Sequence, residues 1–405
     1  MQNLSDIVIA GAGPAGLAVA SALARRGLAV TVLDPRAQEP WRPVYGGWAN
    51  EFDLLGLGDL AAQRWLTAQV YAPSCLRLDR TYMRVDSDRL RDHLEGELAR
   101  NGGRLVKDAV TAVHGQPGGV RLETASGQSR TCGLVVDASG ASGLSKRSAT
   151  AWQVAYGVEL EVSAHPWGSD MVLMDWRNQS AEPGTPPSFL YAMPRSPTQV
   201  FVEETVLATR AHLSPEVLRA RLEKRLVSIG ITAWSAGPVE LCRIPLDVAQ
   251  AQPRRAGIVP FGAAAGMIHP ISGYQLARCL RLAEPFSEAI SSGLGSTEAD
   301  ATEAARLLVS SATSARRRHL DLLGLDVLAS LDHDQTQRFF NAFFEMAPTH
   351  QQAWLDADRP PSDVVAAMAV MFRDVGMPMK EVLLREATRH LTRLLSPNFQ
   401  ARGAA

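Results

Sequence analysis

The chain has 405 residues, 46% of them hydrophobic and 20% charged, with a formal net charge of −1. That length suits two or three domains with a large core, and the near-neutral balance gives no broad attraction to nucleic acid. Four scattered cysteines, Cys75, Cys132, Cys242 and Cys279, form no C-x-x-C pair, which argues against a disulfide frame or zinc site and for a reducing compartment.

The first residues carry no basic stretch followed by an apolar core and cleavage site, so no secretory signal is expected. No apolar run approaches the ~20 residues that span a bilayer. The expectation is a cytoplasmic protein associated peripherally with a membrane through transient surface contact. Residues 6–34 read as strand, glycine turn, helix and strand: "DIVIA", "GAGPAG", "LAVASALARRG", "LAVTVLD". This is one βαβ unit whose short apolar strands suit a parallel sheet covered on both faces. "PRAQEPWRPVYGGWANEF", residues 35–52, is too long for a simple connection, and such loops are often functional. A helix is expected over 86–100, strands near 104–112 and 119–124, and a buried strand ending in a glycine turn in "GLVVDASG", 133–140.

Residues 151–245 change character. Aromatic-rich and alternating runs between Pro/Gly/Ser turns predict an antiparallel sheet, interrupted by a helix near 214–228. A second glycine-rich segment, "FGAAAGMIHPISGYQLAR" at 261–278, precedes a region that is helical by period to about residue 395. The run "ARRRH" ending at His319 reads as a solvated helix face.

The spacing G-x-G-x-x-G in "GAGPAG" gains meaning from its place between a strand and a helix. Gly11 permits the tight turn, Gly13 lets a pyrophosphate approach, and Gly16 allows close helix packing. With Ala15 at the helix start, the helix N-terminus offers N–H groups to an anion. Asp34 follows Gly16 by 18 residues, where a carboxylate accepts from ribose hydroxyls. A dinucleotide is expected here.

The segment at 261–278 resembles the second flavin-contacting segment of the p-hydroxybenzoate-hydroxylase-like FAD enzymes, with Gly262, Pro270, Gly273 and Tyr274 in the matching order. "VVDASGAS", 135–142, resembles their Asp-Gly segment through Asp137 and Gly140. One departure is Ala263, where the redox members carry an aspartate; this weakens a hydroxylase reading. The expected architecture is therefore α/β: a Rossmann-like FAD-binding domain with a parallel sheet (1–150 with 245–300), an inserted antiparallel-sheet substrate domain (151–244), and a C-terminal helical region (301–405).

Together the motifs are similar to those of the lycopene cyclases. "VYGGW", "YMRVDSDRLRDHL", "QVAYGVELEV", "MVLMDW", "FLYAMP", "VFVEET" and "RFFNAFFEMAPTHQQAW" carry the resemblance over roughly residues 5–375, with Ser272 replacing the family's usual threonine. The resemblance implies an isomerisation without net redox change: a carboxylic acid protonates a terminal double bond of linear lycopene, a ring closes on the cation, and proton loss gives the β-ionone ring. It also implies reduced FAD as cofactor and NAD(P)H as reductant.

That chemistry needs an acid still protonated at neutral pH, and "VFVEET" supplies two candidate catalytic carboxyls, Glu203 and Glu204. Neighbours on a strand face opposite sides, so they cannot share one job. Glu203, on the side of Phe201, is the expected general acid, and Glu204 its support; the face assignment itself is left to the fold. Tyr191, Trp176 and Met193, with Met171 and Met174, are candidates for a polyene tunnel. His269 either tunes flavin charge or caps its turn. No metal site is expected. The helix in "VVAAMAVMFRDVGMP", 364–378, either docks on a membrane or packs on the core, the second being expected. Other readings are a flavin monooxygenase, an isoprenoid-chain saturase, and a carotenoid-binding module without chemistry.

Overall fold

Five short strands, the central three buried on both faces, build the first layer. The computed structural model describes residues 6–395 except 117–118, 142, 145–147, 178–183, 250–256 and 295–296. Ser142 of the Asp-Gly segment and residues 396–405 of the C-terminal region thus lie outside the described residues. The parallel sheet runs in the order Ile258–Pro260, Leu134–Asp137, Asp6–Ala10, Ala29–Leu33, Arg104–Val106. Helix Pro14–Arg25 returns the chain between the strands Asp6–Ala10 and Ala29–Leu33, burying Leu17, Val19 and Leu23 in one cluster with Phe286 and Ile290 of helix Leu276–Leu294. Burial on both faces explains why these strands are nearly continuous in apolar residues.

The second sheet has seven strands, in the order Trp234–Pro245, Trp152–Val162, Gln199–Thr209, Phe189–Ser196, Met171–Asp175, Ala68–Tyr71, Cys75–Leu78. It departs from the sequence expectation in two ways. Its last two strands come from well before residue 151, and Met171–Asp175 pairs with Ala68–Tyr71 in parallel. The long connection between them makes a parallel pair possible where a hairpin would force an antiparallel one.

Strand alternation divides this sheet between two cores. Val200 and Val202 pack with Leu222 and Leu226 of helix Pro215–Ser228 on one face. Phe201 and Met193 face a different cluster, built with Phe339, Phe340, Phe343 and Phe344 of helix His333–Glu345. That helix starts at a reciprocal capping box between Asp332 and Gln335, which sets where its aromatic face begins.

The stretch 35–52, expected as a loop, ends in strand Gly46–Trp48 and helix Ala49–Asp53. The strand joins Tyr82–Val85 and Ala61–Trp65 in a three-stranded sheet. In helix Pro361–Asp374, Val364, Ala367 and Met371 are buried, and the last two join the same core as the phenylalanines; Val365 and Phe372 are exposed. Among the described residues no helix is long and apolar enough to cross a membrane.

Candidate active site

The glycine turn is shaped by what each missing side chain leaves room for. A Cβ on Gly16 would stand 2.0 Å from the Gly11 carbonyl oxygen, so helix and turn touch only because both residues are glycine. Gly13 is the reverse: a Cβ there would meet nothing within 4 Å, and the residue lines a cavity. Gly13 also caps helix Pro14–Arg25 without any side-chain hydrogen bond, leaving the helix N-terminus directed at that space. Asp34 ties the turn down: the Ala12 N–H donates to its Oδ2 at 2.7 Å and the Arg36 N–H to its Oδ1 at 2.6 Å. A carboxylate keeps further lone pairs on both oxygens, so this bracing leaves capacity for a hydroxyl.

The other expected cofactor segments converge on the same place. The Asp137 carboxylate accepts from the Ser139 N–H at 3.2 Å, folding the turn that presents Gly140 to the cavity. Gly262 opens a turn that packs on the helix start, where its own Cβ would come 2.8 Å from that of Ala15. Gly273 and Tyr274 line the cavity, while Pro270 lies behind in the turn wall. Open backbone at Gly13 and Gly140 beside an uncapped helix N-terminus fits the diphosphate of a dinucleotide.

The cavity, of about 600 Å³, runs from this turn to the seven-stranded sheet. Tyr191, Met193 and Phe201 line it from the sheet, and Phe339, Phe340, Phe343 and Phe344 from helix His333–Glu345. Glu203 reaches it; Glu204 does not. Burial pushes the Glu203 carboxyl above its ordinary pKa, opposed by the Thr205 hydroxyl, which donates to its Oε1 at 2.5 Å. Burial among aromatic walls favours the neutral form of such a carboxyl.

Glu204 is corrected from catalytic candidate to clamp. Its side chain is on the opposite face, 0% exposed, against Arg225 at 1%. The guanidinium donates from Nε to Oε2 at 2.8 Å and from Nη2 to Oε1 at 2.9 Å, and the Ser188 hydroxyl donates to Oε1 at 2.6 Å. Trp176 and Met171 of the tunnel candidates stand outside the cavity, as does His269. Trp176 backs its wall, stacking on Phe340 with centroids 5.1 Å apart and leaning on Phe189 at 4.8 Å. His269 sits in the core of its turn, with Nδ1 2.9 Å from the Ser272 hydroxyl. Burial, with Arg317 and Arg278 nearby, lowers its pKa to about 3, so it is a neutral turn-former.

One carboxyl of the site was missed from sequence. Glu240 lines the cavity; the Val44 N–H donates to its Oε1 at 3.0 Å, and its Oε2 is buried without a hydrogen-bond partner. Burial, and then the charge of Glu203, raise its pKa to about 8. The usual pattern misleads here, because the apolar neighbours Val239 and Leu241 are 51% and 60% exposed while the glutamate points inward. The signal present is strand alternation itself, which sets Glu240 and Cys242 on one face.

Residues 6–382 match the family described as lycopene cyclase protein. The chain is 33% identical over 378 residues to a chloroplastic lycopene beta cyclase of Arabidopsis thaliana, covering 88% of this chain and 75% of that protein. It is 32% identical over 410 residues to the capsanthin/capsorubin synthase of Capsicum annuum, covering 96% and 82%. Among solved structures it resembles a geranylgeranyl bacteriochlorophyll reductase-like protein of Thermoplasma acidophilum, with TM-score 0.70, 16% identity and coverage of 93% and 98%. It also resembles the halogenase PltM in complex with phloroglucinol and FAD, with TM-score 0.58, 13% identity and coverage of 93% and 87%. These likenesses give the flavoprotein fold.

Proposed function

The chain belongs to the lycopene cyclase family, and from that premise we propose that it closes β-ionone rings on lycopene by acid catalysis, with Glu203 as the acid. The observation that carries this reading is Glu203 itself: a carboxyl with a raised pKa on an aromatic-walled cavity that also receives the dinucleotide turn. Protonating an alkene requires a neutral carboxylic acid at working pH, and burial shifts Glu203 in that direction.

Gly13, Ala15, Gly140 and Tyr274 would hold FAD, with the helix N-terminus at Pro14 against its diphosphate and Asp34 toward a ribose hydroxyl. Bound there and reduced, with NAD(P)H as the source of electrons, FAD would supply negative charge that favours a carbocation nearby. The side chains of this chain do the rest. The phenylalanines of helix His333–Glu345, with Tyr191 and Met193, exclude water and hold a folded polyene end by dispersion and aromatic contact. Glu203 delivers its proton to the terminal double bond, and the ring closes on the resulting tertiary cation. The Thr205 hydroxyl steadies the carboxylate that remains.

The test is an anaerobic incubation of the full chain with lycopene and reduced FAD. A product of unchanged mass that contains a ring supports the cyclase reading. Added oxygen in an aerobic control, or added hydrogen, overturns it in favour of monooxygenase or saturase chemistry on the same fold.

A further inference from the structure

Four residues form one row across four strands of the large sheet: Tyr191 opposite Glu203, Glu203 opposite Gly157, and Gly157 opposite Glu240. Cross-strand partners share a face, so the two glutamates rise on either side of a residue that has no side chain. Strands lie ~4.8 Å apart, which puts the two backbones about 10 Å from each other, within reach of two glutamate side chains leaning together. The place a Gly157 side chain would take is shared by the Phe201 ring and the leaning Glu203 carboxyl: a Cβ there would stand 2.6 Å from Phe201 Cζ and 3.4 Å from Glu203 Oε2.

The nearest charges to Glu240 besides Glu203 are Arg84 and Glu159, which act on it in opposite directions. Arg84 is engaged by Glu159 at 2.6 Å, and Arg225 by Glu204 on the far face. Tyr45 and Cys242, the other titratable groups against Glu240, are themselves pushed up by burial and stay neutral. Among the described residues neither Glu203 nor Glu240 has a salt-bridge partner. Two carboxyls in such a place resist double ionisation, so the pair retains a proton through neutral pH. Burial raises both groups, and the charge of Glu203 adds to the rise at Glu240.

We propose that Glu203 and Glu240 act as a proton-sharing pair across Gly157, with Glu203 giving the first proton and Glu240 taking up the proton that the ring releases. The proposal rests on the cyclase reading. The step balances without an oxidant or reductant. The O–H bond of Glu203 breaks as a C–H bond forms at the chain end, and the second alkene's electron pair becomes the ring C–C bond. A C–H bond beside the new cationic carbon then breaks. Its electrons become the ring double bond, and its proton goes to the Glu240 carboxylate. The pair ends with the charge and proton count it began with, and transfer from Glu240 back to Glu203 readies the next turnover.

The experiment compares wild type, Glu240→Gln and Glu240→Asp as full chains with reduced FAD and lycopene. It adds an infrared titration of the carboxyl C=O bands of each protein without cofactor. The expected result for Glu240→Gln is unchanged lycopene binding, turnover lower by about 100-fold, and Glu203 ionising at lower pH than in wild type. Glu240→Asp is expected to recover part of the turnover. A Glu240→Gln protein with wild-type turnover overturns the proposal, as does a Glu203 titration that the substitution leaves unmoved. If wild type closes no ring at all, the cyclase reading fails by itself, and the infrared titration still decides whether the two carboxyls are coupled.

Discussion

Glu203 and Glu204 are adjacent in the chain and belong to different interiors: Glu203 lines the cavity, while Glu204 is locked to Arg225 with Nε 2.8 Å from Oε2 on the other side of the sheet. One strand thus carries the proposed proton donor and a structural ion pair back to back. The consequences of replacing the two are accordingly different.

Glu203→Gln keeps size and neutrality but removes the acidic proton. Turnover of lycopene is expected to fall by about 10²–10⁴-fold, the range for loss of a general acid. The thermal midpoint and the flavin absorbance of the purified protein should stay at wild-type values.

Arg225→Met leaves the Glu204 carboxylate buried and unpaired, which costs about 3–5 kcal/mol. Urea unfolding should register the loss directly. The double variant Arg225→Met with Glu204→Met should recover much of it, because no uncompensated charge remains.

The two glycines of the turn separate folding from binding. Gly13→Ala places a methyl in open space at φ −69°, so unfolding should match wild type while FAD titration shows weaker binding. Gly16→Ala drives a methyl to 2.0 Å from the Gly11 oxygen. It should lower stability by about 1–3 kcal/mol, as overpacking does.

Glu240 links stability to pH. The pKa of about 8 at Glu240 lies above the ordinary 4.5, so between these values the folded pair of Glu240 and Glu203 holds a proton that the unfolded chain releases. The stabilisation is fully present below the lower value and declines as pH rises through the upper one. Urea midpoints measured from about pH 5 to about pH 9 should therefore fall more steeply for wild type than for Glu240→Gln.

Much of this was legible locally. A βαβ unit and its glycines are encoded within thirty or so residues, because strand, turn and helix signals all lie close in sequence. The same holds for "VFVEET", whose alternation alone says that its two glutamates part company. Which one meets the cavity was not local: Arg225 lies 21 residues on, in a helix that packs against one face only. Trp176 stands outside the cavity, and His269 takes the turn-capping one of its two expected roles, for a related reason. Their residue types suit a tunnel or a flavin site, but packing against Phe340 and inside a buried turn leaves no path to the cavity.

By itself the sequence determined the dinucleotide turn, the change from parallel to antiparallel architecture, and the presence of an acid beside an aromatic strand, since each follows from short-range spacing. Only the tertiary structure decided the parallel pairing of Met171–Asp175 with Ala68–Tyr71, the burial of Glu204, and the row that brings Glu240 opposite Glu203. Register across strands far apart in the chain depends on which side chains can be buried together. That is a property of the assembled sheet and its two cores, and no window of sequence contains it.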